Sequence, residues 1–548
     1  MAGSFSHFMG GRDTLVTDAI DGLLAASGGR LARLDGYPDI RVVLRADRDA
    51  AKVAVVSGGG SGHEPAHAGF VGAGLLDAAV CGDVFASPSV DAVLAGILAV
   101  TGPAGCLLIV KNYAGDRLNF GLAAERARGL GLSVEAVIVS DDVALPGVPQ
   151  PRGIAGTLFV HKVAGHAAAA GRSLAEVAGV ARRAAGTAKS LGIAVSTATI
   201  PGSHRAERMA EGSAELGLGI HGEPGAERLA LPEAAELARI MTGRLSGSLP
   251  EAGQLALLVN NLGATTALEM HVLTRAVLAT DLGRRVRLLL GPSSAMTALD
   301  MHGASLSFLP LDDGLEGALL APTGVPAWTQ AVRIAPPVVR PLAEGLRGET
   351  FVPSRDERVA SRIRAVASAL AEGEADLNAL DARVGDGDTG TTFAGAARNV
   401  LAELDRLPQA DPPALARALA ERIGRAAGGS SGVLASIFFA AASAALAAGR
   451  DWPDALAEGV ARVRTYGGAG PGDRTLLDAL IPAVEALRTG DVGQAAEAAR
   501  RGAEATAGMS RAATGRSSYL AAGDLAGVQD PGAAAVALAF SALATGEP

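Results

Sequence analysis

Residues 53–67 read Val-Ala-Val-Val-Ser-Gly-Gly-Gly-Ser-Gly-His-Glu-Pro-Ala-His, a short apolar run that ends in a glycine-rich segment. Val53–Val56 followed at once by Ser and Gly is typical of a buried parallel strand whose carboxyl end carries a functional loop. This stretch therefore predicts an α/β fold for the first part of the chain.

Two known motifs overlap this stretch, and neither fits it. A dinucleotide-binding fingerprint counted from Gly58 requires glycine at position 63, where the chain has His63. The residues His63–His67 also spell the His-Glu-x-x-His motif of zinc proteases, which needs both imidazoles on one face of a helix. Pro65 belongs in the first turn of a helix, so a helix would begin only at the motif itself. We therefore expect neither a dinucleotide site nor a zinc protease.

Further segments repeat the pattern of a short apolar run followed by Gly, Asn, Asp or Ser, and they alternate with helical patterns. These candidate strands are Cys106–Val110, Val134–Val139, Ala194–Ala198, Leu255–Asn260 and Val286–Leu290. The pattern indicates parallel strands in an α/β domain over 1–320, with two lobes at about 1–185 and 186–320.

The amino-acid composition changes after residue 320. Six prolines lie in 321–353, and proline removes a backbone donor and clashes with a helical turn, so we predict an extended linker. Residues 354–548 are Ala-rich with helical periodicity, which predicts an all-α second domain. The candidate helices are 357–372, 413–427, 433–448, 474–488, 493–507 and 532–545.

Composition limits the classes of function. The 548 residues carry a formal net charge of −9, which argues against a nucleic-acid or anionic-membrane surface. No apolar run approaches the roughly 20 residues of a membrane span. Arg12, Asp13 and Asp18 interrupt the N-terminal apolar residues, so a signal-peptide core is not expected. We expect a cytoplasmic protein without nucleic-acid or membrane partners.

Residues 380–392, Leu-Asp-Ala-Arg-Val-Gly-Asp-Gly-Asp-Thr-Gly-Thr-Thr, concentrate three carboxylates among glycines. Asp381, Asp386 and Asp388 would repel one another unless a cation lies among them. Mg²⁺ prefers such hard oxygen ligands and bridges carboxylates to nucleotide phosphates. The segment therefore predicts a Mg²⁺–phosphate site rather than a solvated turn.

Two other known motifs for metal or phosphate binding, the EF-hand and the P-loop, do not fit this sequence. An EF-hand counted from Asp386 would need Glu where Ala397 stands, and no P-loop sequence occurs in the chain. Phosphates must therefore be held by other Gly- and Ser-rich loops. The best candidate is 428–432, Gly-Gly-Ser-Ser-Gly, because it precedes an apolar helix whose free N–H groups would face an anion.

Two further segments suggest a pocket for one small molecule. Residues 216–225 hold His221 among glycines, with Pro224 setting the turn. Such a position is hard to explain by packing alone. Lys111 and Asp116 follow another predicted strand, and charged residues are costly to bury there without a purpose.

Taken together, these segments closely resemble the single-chain, ATP-dependent dihydroxyacetone kinases of bacteria. The resemblance runs essentially end to end. It rests on the segments 57–70, 79–92, 107–124, 215–225, 260–263, 378–393, 428–440, 472–480 and 515–520.

The resemblance implies a substrate domain of two α/β lobes and a nucleotide domain that is an antiparallel eight-helix barrel. It implies that His221 adds to the ketone carbon of dihydroxyacetone to form a hemiaminal. An imidazole nitrogen that attacks a carbonyl selects ketones and aldehydes over glycerol. Asp116, helped by His63, would accept the proton of the attacking hydroxyl group. The implied substrate-binding residues are Gly60, Ser61, Gly62, His63, Lys111 and Asp116.

The resemblance also implies that Asp381, Asp386 and Asp388 hold two Mg²⁺ ions against the phosphates of ATP. The implied nucleotide-binding residues are Thr389, Gly390, Thr391, Thr392, Ser430, Ser431, Gly467, Thr475, Leu476, Asp530, Pro531 and Gly532. A homodimer is expected, in which the helical domain docks over a substrate domain of the same or the partner subunit. Val528 stands where many relatives have histidine, and little effect is expected.

Two alternatives remain open, and the fusion of both domains in one chain disfavours a third. A kinase for a four-carbon ketose such as erythrulose would use the same chemistry with a different pocket size. A non-catalytic ketose-sensing protein would be expected to lack an acid at 381, 386, 388 or 116, and all four are present. A subunit that uses a phosphocarrier protein would carry its helical domain on a separate chain. Whether the chain also splits FAD is not predictable from these motifs.

Overall fold

The computed structural model describes residues 7–145, 147–200, 209–343, 350–426 and 429–546. Tertiary contacts divide the chain into two units, Met1–Val338 and Val339–Pro548. The first unit contains two β-sheets with helices, and the second is built from helices. This arrangement confirms the predicted fold class, an α/β domain followed by an all-α domain.

The first sheet has six strands in the order β1-β2-β4-β3-β5-β6. Strand β3 lies between β4 and β5 and runs parallel to both, and β5 runs parallel to β6. The elements of this part are β1 (Leu31–Arg33), β2 (Val42–Arg45), β3 (Ala54–Ser61), β4 (Ala78–Val84), β5 (Cys106–Lys111) and β6 (Val134–Val139), with α1 (Leu15–Ala26), α2 (Val90–Val100), α3 (Ala114–Gly129), α4 (Thr157–Ala169) and α5 (Leu174–Thr187).

The second sheet has seven strands in the order β13-β11-β10-β12-β7-β8-β9. Its elements are β7 (Lys189–Ala194), β8 (Ser213–Leu216), β9 (Glu227–Ala230), β10 (Leu255–Asn261), β11 (Val286–Ser293), β12 (Gly303–Pro310) and β13 (Val332–Arg333), with α6 (Ala234–Ser246), α7 (Ala267–Leu278) and α8 (Asp313–Leu320). Strand β10 pairs in parallel with β11, whereas β12 lies between β10 and β7 and runs antiparallel to both, so β7 and β10 run in the same direction. The predicted common direction therefore holds for β7, β10 and β11, whereas β8, β12 and β13, which the sequence did not predict, run the opposite way.

The predicted strand Ala194–Ala198 is misplaced, since the strand is Lys189–Ala194. Lys189, Ser190 and Gly192 read as loop residues, but the hydroxyl of Ser190 donates to Ser307 across the sheet at 2.7 Å. Pairing with β12 thus overrides the weak local propensity of these residues.

The largest hydrophobic core of the first unit draws residues from both sheets. It includes Val55 and Leu107 of the first sheet, Ala256 and Leu288 of the second, and helices α4, α5 and α8. Because one core serves both sheets, the loops at their edges are held in a fixed arrangement.

The first part of the predicted linker 321–353 is not a free linker. Val325 and Trp328 are buried in the core of the first unit, and Val332–Arg333 pairs with β11 as an edge strand. Prolines do exclude helices from its described residues, as expected. Buried apolar side chains between the prolines explain why this segment packs onto the sheet instead.

The helices of the second unit form a closed ring of neighbours, in which α18 packs against α9. The ring follows the order α9-α11-α12-α13-α14-α15-α16-α18. The elements are α9 (Glu357–Glu372), α10 (Glu374–Asp381), α11 (Thr389–Ala402), α12 (Pro412–Ala426), α13 (Gly429–Ala447), α14 (Trp452–Gly467), α15 (Leu477–Thr489), α16 (Val492–Thr506), α17 (Ala522–Leu525) and α18 (Pro531–Thr545). The antiparallel order of the predicted barrel stays a prediction.

Among the described residues, no helix is both long and apolar enough to cross a membrane.

Candidate active site

The predicted substrate residues of the first unit lie at strand ends and in the loops that follow. Gly60 and Ser61 end β3, and Gly62 and His63 follow it. Lys111 ends β5, and Asp116 lies in the first turn of α3. His221 lies in the loop between β8 and β9 of the other sheet.

The structure brings His63, Lys111, Asp116 and His221 together; we call these four residues the histidine cluster. The rings of His63 and His221 have centroids 4.9 Å apart. A Cβ added to Gly59 would lie 3.3 Å from the Lys111 Nζ and 3.6 Å from a carboxylate oxygen of Asp116. The Tyr113 ring links the two pairs, with its centroid 4.6 Å from that of His221 and 5.9 Å from the Lys111 Nζ.

His63 is fully buried, and its tautomer follows from its one hydrogen bond. Its Nδ1 lies 2.7 Å from the carbonyl oxygen of Thr297, which only accepts, so Nδ1 carries the hydrogen. The buried Nε2 then has a free lone pair and no protein partner among the described residues. Burial, followed by the charges of Lys111 and His221, lowers the pKa of His63 well below its usual value. His63 is therefore neutral, and its Nε2 can accept a hydrogen bond.

His221 is oriented by Glu223, two residues further along the chain. A Glu223 oxygen lies 3.2 Å from the Nδ1 of His221, and the other accepts the backbone N–H of His221 at 3.0 Å. Burial would raise the pKa of Glu223, but its hydrogen bond and charge interaction with His221 outweigh burial and lower it to about 2. An ionised carboxylate only accepts, so Nδ1 of His221 carries a hydrogen and, in the neutral ring, Nε2 keeps the lone pair.

Arg152 anchors the His221 loop to the first sheet's side of the unit. Its guanidinium donates to Asp142 at 2.7 Å and to the carbonyl oxygen of Gly217 at 2.7 Å. This clamp joins the loop after β8 to the segment after β6, and so explains how residues of two sheets meet.

Lys111 and Asp116 are almost completely buried. Desolvation lowers the pKa of Lys111, while the carboxylate of Asp116 opposes that shift. Asp116 accepts a short hydrogen bond from the hydroxyl of Ser87. A buried cation and a buried carboxylate interact strongly with polar groups of a ligand, because the surrounding protein screens their charges less than bulk water does.

In the second unit, Asp381 ends α10 and Asp388 precedes α11; we call residues 381–388 the aspartate loop. One ligand oxygen from each of Asp381, Asp386 and Asp388 lies within 4.8 Å of the others. Asp381 is buried and accepts the backbone N–H groups of Asp388 and Thr389 at 2.9 and 3.1 Å. Gly387 has φ +80°, a conformation that favours glycine and turns the loop back on itself.

Oxygens that share one Mg²⁺ lie up to about 4 Å apart, because each Mg–O bond is about 2.1 Å. The three carboxylates of the aspartate loop therefore fit a magnesium site with small adjustments. Asp386 and Asp388 are exposed and so remain open to phosphate oxygens.

The predicted nucleotide residues lie at helix ends. Thr389–Thr392 open α11, Ser431 opens α13, Gly467 ends α14, Thr475 and Leu476 precede α15, and Asp530 caps α18 ahead of Pro531 and Gly532. Leu476 lies against Gly532, since an added Cβ there would be 3.2 Å from the Cβ of Leu476. Residues 427–428 and the side chain of Ser430 lie outside the described residues. The backbone N–H of Thr391 donates to the side-chain oxygen of Asn378 at 3.0 Å.

Several supporting residues escape the sequence analysis. Glu223, Thr297, Ser87 and Asn378 each pair with a predicted site residue. Only Glu223 carries a local signal, because a carboxylate two residues from His221 can reach its ring. The others come from distant segments or from residues that read as ordinary turn residues.

Two domain-family models match separate parts of this chain. The Dak1 domain model matches residues 21–327, and the DAK2 domain model matches residues 383–545. The dihydroxyacetone kinase of Citrobacter freundii is 49% identical over 98% of this chain and 99% of its own length. This chain belongs to the single-chain dihydroxyacetone kinase family.

Other members of the family differ in what their names say they act on. A putative 3,4-dihydroxy-2-butanone kinase of Solanum lycopersicum is 45% identical over 97% of this chain and 96% of its own length.

The crystal structure of the C. freundii kinase with AMP-PNP and Mg²⁺ matches 99% of this chain and 100% of that one, with 47% identity and a TM-score of 0.68.

Proposed function

We propose that this chain transfers the terminal phosphate of ATP to dihydroxyacetone, and to glyceraldehyde as well. The observation that carries this is the histidine cluster, in which the imidazole of His221 lies beside the buried imidazole of His63, a buried cation and a buried carboxylate. The full-length similarity to the C. freundii kinase supports it.

The substrate would be held as a hemiaminal on His221. The lone pair of Nε2 attacks the ketone carbon, the C=O π electrons move to oxygen, and that oxygen takes up a proton from solvent. Glu223 accepts the hydrogen bond of Nδ1–H and stabilises the positive charge that develops on the ring. Glycerol has no electrophilic carbon and cannot be held in this way.

The remaining residues of the pocket would orient the substrate and move one proton. Lys111 would donate to a substrate oxygen, and the backbone around Gly60, Ser61 and Gly62 would line the pocket. Asp116, helped by the bare Nε2 of His63, would accept the proton of the hydroxymethyl group that attacks the phosphate.

In the helical unit, Asp381, Asp386 and Asp388 would bind two Mg²⁺ ions, which neutralise phosphate charge during transfer. Residues of the first turns of α11 and α13 would contact phosphate oxygens, namely Thr389–Thr392, Ser430 and Ser431. Gly467, Thr475, Leu476 and Asp530–Gly532 would contact the rest of the nucleotide. We propose a homodimer as the assembly.

A four-carbon ketose is the second candidate substrate, because the S. lycopersicum relative is named as a putative 3,4-dihydroxy-2-butanone kinase. The hemiaminal chemistry would be identical. A purely regulatory role is less well supported. A dihydroxyacetone kinase operon co-activator matches only 57% of this chain, whereas the kinase matches 99%.

The test is ADP release from Mg²⁺–ATP with dihydroxyacetone, glyceraldehyde, erythrulose or glycerol as acceptor. We expect the highest kcat/KM with dihydroxyacetone and no turnover with glycerol. A higher kcat/KM with erythrulose would keep the mechanism and change the substrate. No turnover with any acceptor would contradict the proposal and favour the sensing role.

A further inference from the structure

A second group of polar side chains is buried in the first unit, on the side of the first sheet covered by α4. It consists of Ser57, His67, Thr157 and His161, which we call the inner polar cluster. All four are at most 4% exposed, and the rings of His67 and His161 have centroids 5.2 Å apart. The proposed reaction gives none of them a role.

The tautomer of His161 follows from its contact with Ser57. The hydroxyl of Ser57 donates to the carbonyl oxygen of Ile109 at 2.7 Å. Its oxygen is therefore left to accept from the Nε2–H of His161, 3.1 Å away. Because a neutral imidazole carries one hydrogen, Nδ1 of His161 is an acceptor.

That acceptor has no protein partner among the described residues. The same holds for both ring nitrogens of His67, the hydroxyl oxygen of Thr157 and the Nζ of Lys111. Buried polar groups in folded proteins are almost always hydrogen-bonded to protein or to ordered water. This group contains both donors and acceptors, which is the mixture that a bound water molecule requires.

Lys111 lies on the same side of the sheet as the inner polar cluster. Side chains alternate along a strand, so Ile109 and Lys111 share one face of β5, and Ile109 pairs with Ser57 of β3. Burial is the main cause of the lowered pKa values of His67 and His161, and the charge of Lys111 lowers both further. Both imidazoles are therefore neutral and able to accept from an ammonium group or from water.

Helix α4 is held at a fixed distance from the segment that follows His67. Gly165 of α4 lies directly over Leu75, because an added Cβ would come within 2.3 Å of the Leu75 carbonyl oxygen. Thr157 and His161 lie one turn apart on the same helix and so project to the same side. The spacing between His67 and His161 is thus set by packing of the backbone.

We propose that the inner polar cluster binds ordered water that connects His161 and His67 to the ammonium group of Lys111, and that His67 and His161 are positioning residues for Lys111. The inference rests on the proposed function, in which Lys111 contacts the ketose. Hydrogen bonds from the ammonium group of Lys111 to this water would keep the Lys111 side chain in one rotamer. A remaining N–H of the ammonium group would then be directed at the substrate.

The test compares His161→Phe with the control His166→Phe. Phenylalanine preserves the ring shape but removes the acceptor, whereas His166 lies on the same helix outside the cluster and is half-buried. We expect His161→Phe to raise the KM for dihydroxyacetone about tenfold while the KM for ATP stays unchanged. His161→Asn, whose amide oxygen replaces Nδ1 as acceptor, should recover much of that loss. Unchanged ketose KM in His161→Phe would overturn the proposal.

If His161→Phe does not fold, Thr157→Val provides the kinetic test, with an expected threefold rise in ketose KM, about half the effect on a logarithmic scale. A wild-type ketose KM in that variant would then overturn the proposal.

Two measurements on the wild-type protein do not depend on turnover. In ¹⁵N-histidine NMR spectra, we expect His161 to be neutral with its hydrogen on Nε2. In a high-resolution crystal structure, we expect water density within hydrogen-bonding distance of both the His161 Nδ1 and the Lys111 Nζ. A hydrogen on Nδ1, or the absence of such water, would contradict the inference even if the protein phosphorylated none of the sugars. If the expected tautomer and water are found but no sugar is phosphorylated, only the proposed function is contradicted.

Discussion

The histidine cluster and the aspartate loop differ in how their residues are brought together. His63, Lys111, Asp116 and His221 come from four segments and two sheets, and their positions depend on one shared core and on the Arg152 clamp. The three aspartates come from eight consecutive positions and are gathered by one glycine turn. The first site is formed by the packing of distant segments and is largely buried. The second is formed by one short loop and is open to solvent.

This difference has a chemical purpose. A nucleophilic imidazole and a neutral base need desolvation and fixed orientation, which only a packed interior supplies. A magnesium–phosphate site must admit a large, charged and hydrated ligand, so two of its carboxylates stay exposed. Each site therefore has the burial that its proposed ligand requires.

The largest effect is expected in the aspartate loop. Asp386→Asn removes one charged ligand, so kcat should fall by about 10²–10³-fold, and a higher Mg²⁺ concentration should be needed for half-maximal rate. The measurement is the initial rate against Mg²⁺ concentration at saturating ketose. Asp376→Asn is the matched control, because Asp376 is an exposed acid of α10 outside the cluster. Unchanged Mg²⁺ dependence in Asp386→Asn would show that the metal site is misassigned.

A change in the histidine cluster should act on the ketose alone. His221→Ala removes the nucleophile, so affinity for dihydroxyacetone should fall about 10²-fold, while ATP binding should be unchanged. Calorimetry measures both affinities. In ¹³C NMR spectra with dihydroxyacetone labelled at the ketone carbon, the wild-type protein should show a tetrahedral carbon signal that the variant lacks.

His271→Ala is the control for that experiment, since His271 is an exposed residue of α7 in the same unit. It should retain both the affinity and the tetrahedral signal. A normal ketose affinity in His221→Ala would contradict covalent capture, and the contrast between the two sites would lose its chemical basis.

The smallest effect concerns a buried carboxylate in the helical unit. It tests whether burial, and not membership of one unit or the other, sets the protonation behaviour of a carboxylate. Asp530 is a buried N-cap of α18, and desolvation raises its pKa to about 6. Between pH 4 and 6 the folded state then binds more protons than the unfolded state, so stability should fall as pH rises through that range. The expected loss is about 1–3 kcal/mol.

Asp530→Asn keeps a capping side chain and should remove that pH dependence, as measured by urea unfolding from pH 4 to 7. Asp491→Asn, at an exposed N-cap of α16, should leave it in place. A pH dependence that persists in Asp530→Asn would mean that another group is responsible and that burial does not set the behaviour of Asp530.

Much of the secondary structure could be predicted because it depends on local pattern. The helix predicted at 357–372 and the strand predicted at Val134–Val139 have the observed bounds. Short or polar strands such as β7 and β8 could not be found, because only their partners in the sheet make these residues extended. Strand β12 could not be predicted for the same reason. It lies antiparallel between β10 and β7 and so makes the second sheet a mixed one.

The amino-acid sequence by itself determined the family, the α/β and all-α division and the aspartate loop, because each depends on residue spacing within short segments. The tertiary structure alone decided which distant residues meet. It placed the carbonyl oxygen of Thr297 on the Nδ1 of His63, which leaves the Nε2 of that ring without a protein partner among the described residues. It also buried Ser57, His67, Thr157 and His161 on the side of the first sheet that carries Lys111. Contacts between segments this far apart in the chain are set by how sheets and helices share one core, and no local pattern encodes that.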